Sequence, residues 1–309
     1  MLSRVAESLY WISRYIERTD GMLRMLKTNY AASQDSFEEF SWSPMLRIFG
    51  RPDSEGFDNA YNSRAILQFM VTDRNNPHSI VNIITQVREN ARSVQDHITK
   101  DVWQCLNEYY HTVKDPRLNE MLKKDDPVSV LDILIKQGML FYGTTEITMA
   151  RNEGSSFMRI GKSLERSIQS VNILDIKFSS VDENPDLLTS TTYWKHLLLS
   201  IGGYELYLRT YRQGFDAENV LAQVVLNNEF PRSVIYSLNQ LIKYFDRLKN
   251  DGHINPGNLS FLIGRLQSKV KYGSVKGLKQ GDLHLYLSEI RGELYGIGNA
   301  FNETCFSLS

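Results

Sequence analysis

The residues with the most chemical potential are two dipeptides, Glu17-Arg18 and Glu165-Arg166, each a carboxylate joined to a guanidinium. Arg14 stands three residues before Glu17, and Lys162 three before Glu165, a spacing that makes neighbours on a helix. A hydroxyl, Thr19 or Ser167, follows each dipeptide. Such a set suits a ligand carrying both amine and carboxylate, because guanidinium binds carboxylates in bidentate fashion. It also suits acid–base chemistry, with Glu17 or Glu165 as general base and Arg18 or Arg166 stabilising a developing oxyanion. The same groups, saturating one another between helices, would form an ion network that fixes register. Burial separates these readings: groups facing an open pocket bind or catalyse, and groups closed on each other hold the fold together.

Other chemistry finds little support. The histidines His78, His97, His111, His196, His253 and His284 include no i,i+4 pair and no HExxH, so no metal is expected. There is no GxxxxGK[ST] loop and no GxGxxG, hence no nucleotide cofactor by those routes. Glu-x-x-His, the mark of a di-iron bundle, is missing. Cys105 and Cys305 form no CxxC and read as two reduced thiols. Ser268-x-x-Lys271 has the SxxK form without its Ser-Asp-Asn and Lys-Thr-Gly companions. Lys269, Lys271, Lys276 and Lys279 read as a solvated loop. Tyr204, Tyr207 and Tyr211 alternate with Glu205, Arg209 and Arg212, a pattern of helical packing rather than base stacking.

The elements that must position the two dipeptides are helices. Leu2, Val5, Leu9, Ile12, Ile16, Thr19, Leu23, Leu26 and Tyr30 follow in alternating steps of three and four, a heptad seam on one long helix. Beside it runs a second stripe: Tyr10, Arg14, Glu17, Gly21 and Arg24. Helical spacing recurs near 62–72, 78–98, 128–150, 156–179, 187–212, 232–249 and 283–306, more weakly at 100–112, and no period-two strand stands out. Pro77, Pro127, Pro185, Pro231 and Pro256 lie at or beside predicted starts, with Asn76, Asp126 and Asn255 as caps. Residues 33–61 and 271–282 read as loops. The predicted class is all-α, a bundle of long helices.

The dipeptides also announce a repeat. Placing Glu17-Arg18 on Glu165-Arg166 brings Phe157, Ile160, Leu164, Ser167, Val171, Leu174 and Phe178 onto Leu9 through Tyr30 of the first seam. Trp42-x-x-Met45-Leu46 falls on Trp194-x-x-Leu197-Leu198, and Pro77-x-Ser79-Ile80 on Pro231-x-Ser233-Val234. These ordered anchors predict two homologous helical halves, about 1–150 and 151–309, packed together.

Composition excludes some partners. With 35 Lys and Arg against 36 Asp and Glu the net charge is −1, which draws the chain to neither nucleic acid nor anionic membrane. Only 19 Gly and 8 Pro occur, fewer than the usual ~12% of residues together, as suits long helices. Arg4, Glu7, Arg14, Glu17, Arg18 and Asp20 interrupt any signal-peptide core, and no apolar run approaches the ~18 residues of a membrane helix. A cytoplasmic location is expected.

Ser3-Arg4-Val5-Ala6-Glu7-Ser8-Leu9-Tyr10-Trp11-Ile12-Ser13-Arg14-Tyr15-Ile16-Glu17-Arg18 closely resembles the opening of the bacterial alpha-E family, helical proteins named for a Glu-Arg signature. Asn76 through Ile80, Arg88 through Val94, Trp103 with Leu106-Asn107, Arg151 through Gly154, Phe157 through Arg166 and Glu229 through Val234 look like further family segments, so the resemblance spans the chain. Lys162, Ser163, Ser167 and Ile168 depart from it, standing where the family's second signature has more Arg and Ala. The resemblance implies work beside circularly permuted ATP-grasp ligases or transglutaminase-like cysteine peptidases, in a system that makes or modifies peptide or amide bonds. The leading expectation is an accessory or binding protein without a cofactor, which takes a peptide or amino-acid ligand. The alternatives are an amide-forming or amide-cleaving enzyme and a purely structural scaffold or dimerisation protein. Arg14, Glu17, Arg18, Asn90, Arg92, Arg151, Glu153, Glu165 and Arg166 are the candidate substrate-binding residues.

Overall fold

The computed structural model describes residues 1–35, 42–49, 63–124, 126–212, 214–254, 256–273, 275 and 280–306. Among these, all regular structure is helical, in fourteen α-helices with short 3-10 and π turns. The first seven are α1 (Ser3–Asp35), α2 (Ser43–Phe49), α3 (Ser63–Val71), α4 (Ile80–Ser93), α5 (Lys100–Lys114), α6 (Pro116–Lys124) and α7 (Pro127–Thr148). The rest are α8 (Glu153–Glu183), α9 (Thr191–Ser200), α10 (Tyr204–Thr210), α11 (Ala217–Leu226), α12 (Val234–Asn250), α13 (Leu259–Tyr272) and α14 (Gln280–Phe301).

The two long helices carry the dipeptides and form the centre. From Leu9 onward the α1 seam is buried, as are Phe157, Ile160, Leu164, Ser167, Val171, Leu174 and Phe178 of α8, whereas Leu2 at the free end of α1 is exposed. The helices lie side by side and parallel, because contacts rise together along both: Tyr10 against Gly161, Arg14 against Glu165, Glu17 against Arg166, Gly21 against Gln169. That line of contact is the second stripe of α1. The seam itself turns into the common apolar core.

Around this pair, α4 and α7 pack on α1 while α12 and α14 pack on α8. The short helices cross over: α9 lies on α1, and α2 on α8. Element order is parallel on the two sides of residue 150. A helix of 33 or 31 residues leads, a short helix preceded by or containing a buried Trp follows, and a helix of 22 residues closes or nearly closes each side.

Local chemistry explains most boundaries. Asp126 caps α7 by accepting from the Ser129 amide with Pro127 at the first turn, and Asn152 caps α8 through the Ser155 amide. Asn76 does not cap α4; it accepts from the His78 amide in a turn, and Ser79 occupies the cap position. Asn255 lies outside the described residues. The helix expected over 187–212 is two, α9 and α10, because Gly202 adopts φ 65° and Gly203 abuts the Phe230 ring. Part of the expected 33–61 loop is helical, since α1 runs to Asp35 and α2 occupies 43–49; residues 36–41 and 50–61 lie outside the described residues. Of 271–282, residues 274 and 276–279, with Lys276 and Lys279, are likewise outside, while α13 extends to Tyr272 and α14 starts at Gln280. Among the described residues no helix is long and apolar enough to cross a membrane.

Candidate functional site

The two Glu-Arg dipeptides meet across the α1–α8 contact. Glu17 of α1 accepts from Arg166 Nε and Nη2 of α8, both at 2.8 Å, and Glu165 of α8 accepts from Arg18 Nε at 2.7 Å and Nη2 at 3.2 Å. The exchange is reciprocal, each carboxylate clasped by the guanidinium of the opposite dipeptide, as in contacts about a two-fold axis. Further donors complete each side. Glu165 also accepts from Arg14 at 2.9 and 2.8 Å. Glu17 also accepts from Arg232 at 2.9 Å and from the Tyr142 hydroxyl at 2.6 Å, while Gln169 donates to the Glu17 carbonyl at 3.1 Å. Arg232 continues to Asp20, which Arg24 also pairs at 3.0 Å. Arg14 lies 4.6 Å from the centre of the Trp11 ring and donates to the Tyr10 hydroxyl.

Glu17 is 0% and Glu165 2% exposed. Burial alone would raise both carboxyls. Arg166 and Arg232 around Glu17, and Arg18 and Arg14 around Glu165, override it and hold both below the usual carboxylate range. For Arg14 and Arg166 burial opposes the charge, but the facing carboxylates dominate and strengthen their hold on the proton. Burial first, then the Glu17 charge, pushes the Tyr142 hydroxyl well above its ordinary range. Glu17 and Glu165 are therefore ionised, buried and paired with guanidinium groups. Neither Glu17 nor Glu165 is open to a substrate proton, whereas Asp20 Oδ1 is buried without a hydrogen-bond partner.

Close helix approach makes this pairing possible. A Cβ on Gly161 would stand 2.3 Å from the Tyr10 carbonyl oxygen, and one on Gly21 1.8 Å from Gln169 Oε1. Gly161 thus lets the two backbones approach at one end of the network, and Gly21 makes room for the Gln169 side chain at the other.

A family model described as "a predicted alpha-helical domain with a conserved ER motif" matches residues 1–306. The chain belongs to the Alpha-E family. It is similar to uncharacterized protein Mb2597 of Mycobacterium bovis, at 24% identity over 259 residues. It is equally similar to uncharacterized proteins MT2643 and Rv2567 of Mycobacterium tuberculosis, from two strains. The match covers 77% of this chain and 29% of each relative, so the chain spans less than a third of their length. No solved structure matches.

Of the candidate residues in this Alpha-E chain, the fold brings together Arg14, Glu17, Arg18, Glu165 and Arg166. It does not bring in the other four. Arg92 is exposed on α4 and lies 3.7 Å from Glu89, and Asn90 is half-buried on the same helix, its carbonyl accepting from Ser93. Arg151 donates to Glu146, and Glu153 faces the Met1 amine at 3.1 Å and His253 at 3.8 Å. Glu153 sits twelve residues before Glu165, about 18 Å along α8. Among the described residues no hydrogen bond or ion pair joins these four to Glu17 or Glu165.

Of the neighbours along each helix, Arg14 turns across to Glu165, and among the described residues no ion pair joins Lys162 to Glu165. The hydroxyls also stand apart, since Ser167 donates to the Ser163 carbonyl and Thr19 Oγ1 is buried without a hydrogen-bond partner. Asp20, Tyr142, Gln169 and Arg232 belong to the network and were missed. The only sequence signal for Arg232 was its place in a family-like segment, because 215 residues separate it from Glu17. Both thiols are unsuited to nucleophilic work, burial pushing Cys105 up to about 11 and Cys305 up to about 12.

Proposed function

We propose that this Alpha-E chain is a non-catalytic accessory and binding module that works beside an ATP-grasp ligase in the synthesis or modification of amide bonds. In this reading the chain consists of two homologous halves, about 1–150 and 151–309, and the Glu-Arg signature is the lock between them. One observation carries it: Glu17 and Glu165 are buried, and each is saturated by guanidinium groups. A general base needs a free lone pair within reach of its substrate and a pKa near the working pH, and these carboxylates meet neither condition.

Two further observations support a role in assembly. α7 carries Ile133, Leu140 and Ile147 at intervals of seven, 37%, 48% and 84% exposed, with Met139 alongside. An apolar stripe left open on a helix marks a contact surface. In addition, the mycobacterial relatives hold the matching stretch within much longer polypeptides, an arrangement suited to a module with working neighbours.

The test is to mix the purified chain with the ATP-grasp protein of the same organism and follow co-elution by size-exclusion chromatography. Co-elution that Leu140→Glu abolishes at unchanged stability is the expected result. Independent elution of the wild-type proteins rejects the reading.

A further inference from the structure

On the side of α8 turned toward α12 lies a polar cleft of about 100 Å³. α8 lines it with Arg159, Lys162 and Arg166, spaced i, i+3 and i+7, and α12 faces them with Tyr236, Ser237 and Gln240. Every one of these six side chains has hydrogen to donate, and no carboxylate lines the cleft. The two arginines are held at its rim from outside. Arg166 is anchored by Glu17, and Arg159 pairs with Glu146 beneath the Tyr244 ring, 5.1 Å away.

Two groups inside are left without a counterpart. The Lys162 ammonium forms no ion pair among the described residues and lies over the face of Tyr142, 4.8 Å off. Burial, followed by repulsion from Arg166, presses it down to about 8 despite the attraction of Glu17 and Glu146. Ser237 is 1% exposed, and its Oγ has no hydrogen-bond partner. Leaving a buried hydroxyl unsatisfied is costly, so its place in the cleft wall calls for an acceptor. Donors without acceptors, and a cation without an anion, define the missing group.

We infer that the α8–α12 cleft is a binding site for a small oxyanion, the phosphate or carboxylate headgroup of a ligand, held between the Lys162 ammonium and the Ser237 hydroxyl with Arg159 and Arg166 at its rim. A volume near 100 Å³ accommodates such a headgroup and leaves the remainder of the ligand outside. Because Arg166 also grips Glu17, an anion here would bear directly on the α1–α8 lock.

Calorimetric titration of the full chain with inorganic phosphate and with acetate, at ionic strength held constant with chloride, tests the inference. Saturable binding of either anion is expected, weakened about tenfold or more by Lys162→Met and severalfold by Ser237→Ala. Preference for phosphate assigns a phosphoryl ligand, and preference for acetate a carboxylate. Ser237→Ala removes a hydroxyl with no partner in the fold, so it remains informative even if Lys162→Met fails to fold. No saturable binding of either anion, or equal affinity in wild type and Ser237→Ala, overturns the site. Anion binding is read on the chain alone and partner binding in the mixture, so the two proposals fail separately.

Discussion

Glu17 and Glu165 do the same job with different margins. Both are buried, but both cations on Glu17 are enclosed, with Arg166 13% and Arg232 14% exposed, while of the two on Glu165 Arg14 is enclosed at 9% and Arg18 is 30% exposed. Removing one partner from a buried pair strands the other charge, at a cost of about 3–5 kcal/mol. Glu17→Gln should therefore destabilise by about that much, and Glu165→Gln by less, because Arg18 can turn toward water. Urea unfolding of the two variants checks the order; a loss below about 1 kcal/mol for Glu17→Gln would show that the network is not structural. The same carboxyls set the acid limit. Their folded pKa values lie below the ordinary 4.3–4.5, so their contribution is whole above that range and disappears as pH falls through the depressed values. Acid titration by circular dichroism should accordingly show the native signal persisting below pH 4.5, and Glu17→Gln should move the transition upward.

At the scale of elements, the glycines that permit contact matter as much as the charges that fill it. Gly161→Ala would gain about 1 kcal/mol in helix propensity at a free position. Here the new methyl meets the Tyr10 carbonyl, part of a backbone that cannot swing away, so a net loss of about 1–3 kcal/mol is expected in thermal unfolding. Gly143, with open space around it, is the control and should be neutral or stabilising on the same change.

A second inter-element tie responds to pH in the opposite sense. His284 of α14 is within hydrogen-bond distance of Asp175 and Asp182 of α8, at 2.9 and 2.6 Å, while Arg291 also pairs with Asp175. Burial would lower the imidazole, but the two aspartates outweigh it and raise it. A raised histidine contributes fully below its unfolded value near 6.5 and ceases to contribute as pH rises through its folded value. Melting temperature should thus decline over that range in wild type and stay flatter in His284→Gln.

Much of this layer was legible in sequence, and the exceptions have physical causes. The α1 and α8 seams, the Asp126 cap and Pro127 at the start of α7 declare themselves through local spacing. α6 and α11, of nine and ten residues, contain too few turns for a period to stand out. α13 buries Leu259, Ile263, Leu266 and Val270 at helical intervals, so its spacing too is present in the sequence. An interhelical network of the Glu-Arg groups was one reading of the sequence, but not which group meets which: along a single helix Arg14 is Glu17's neighbour, and only the parallel approach of α8 redirects it to Glu165. Arg232 and Tyr142 reach Glu17 from turns and helices remote in the chain, for which periodicity has no vocabulary.

For the whole molecule, the position of the lock decides how the chain should unfold. α1 and α8 are each the hub of their own side, and they are joined along the network while α9 crosses to α1 and α2 to α8. Neither side can open without exposing the face of the other's central helix and uncovering at least two buried carboxylates and their guanidiniums. A chain of 309 residues is long enough to unfold in two steps if its parts are weakly joined, as separate domains usually are. Here the join is a cluster of buried ion pairs, so one transition is expected. Tryptophan fluorescence, reporting Trp11, Trp42 and Trp103 on one side and Trp194 on the other, should coincide with the far-ultraviolet helical signal across a urea titration. Glu17→Gln should shift both signals together while the lock still holds. Two separated transitions in the wild type would mean that the halves stand alone, leaving the Glu-Arg signature free for another purpose.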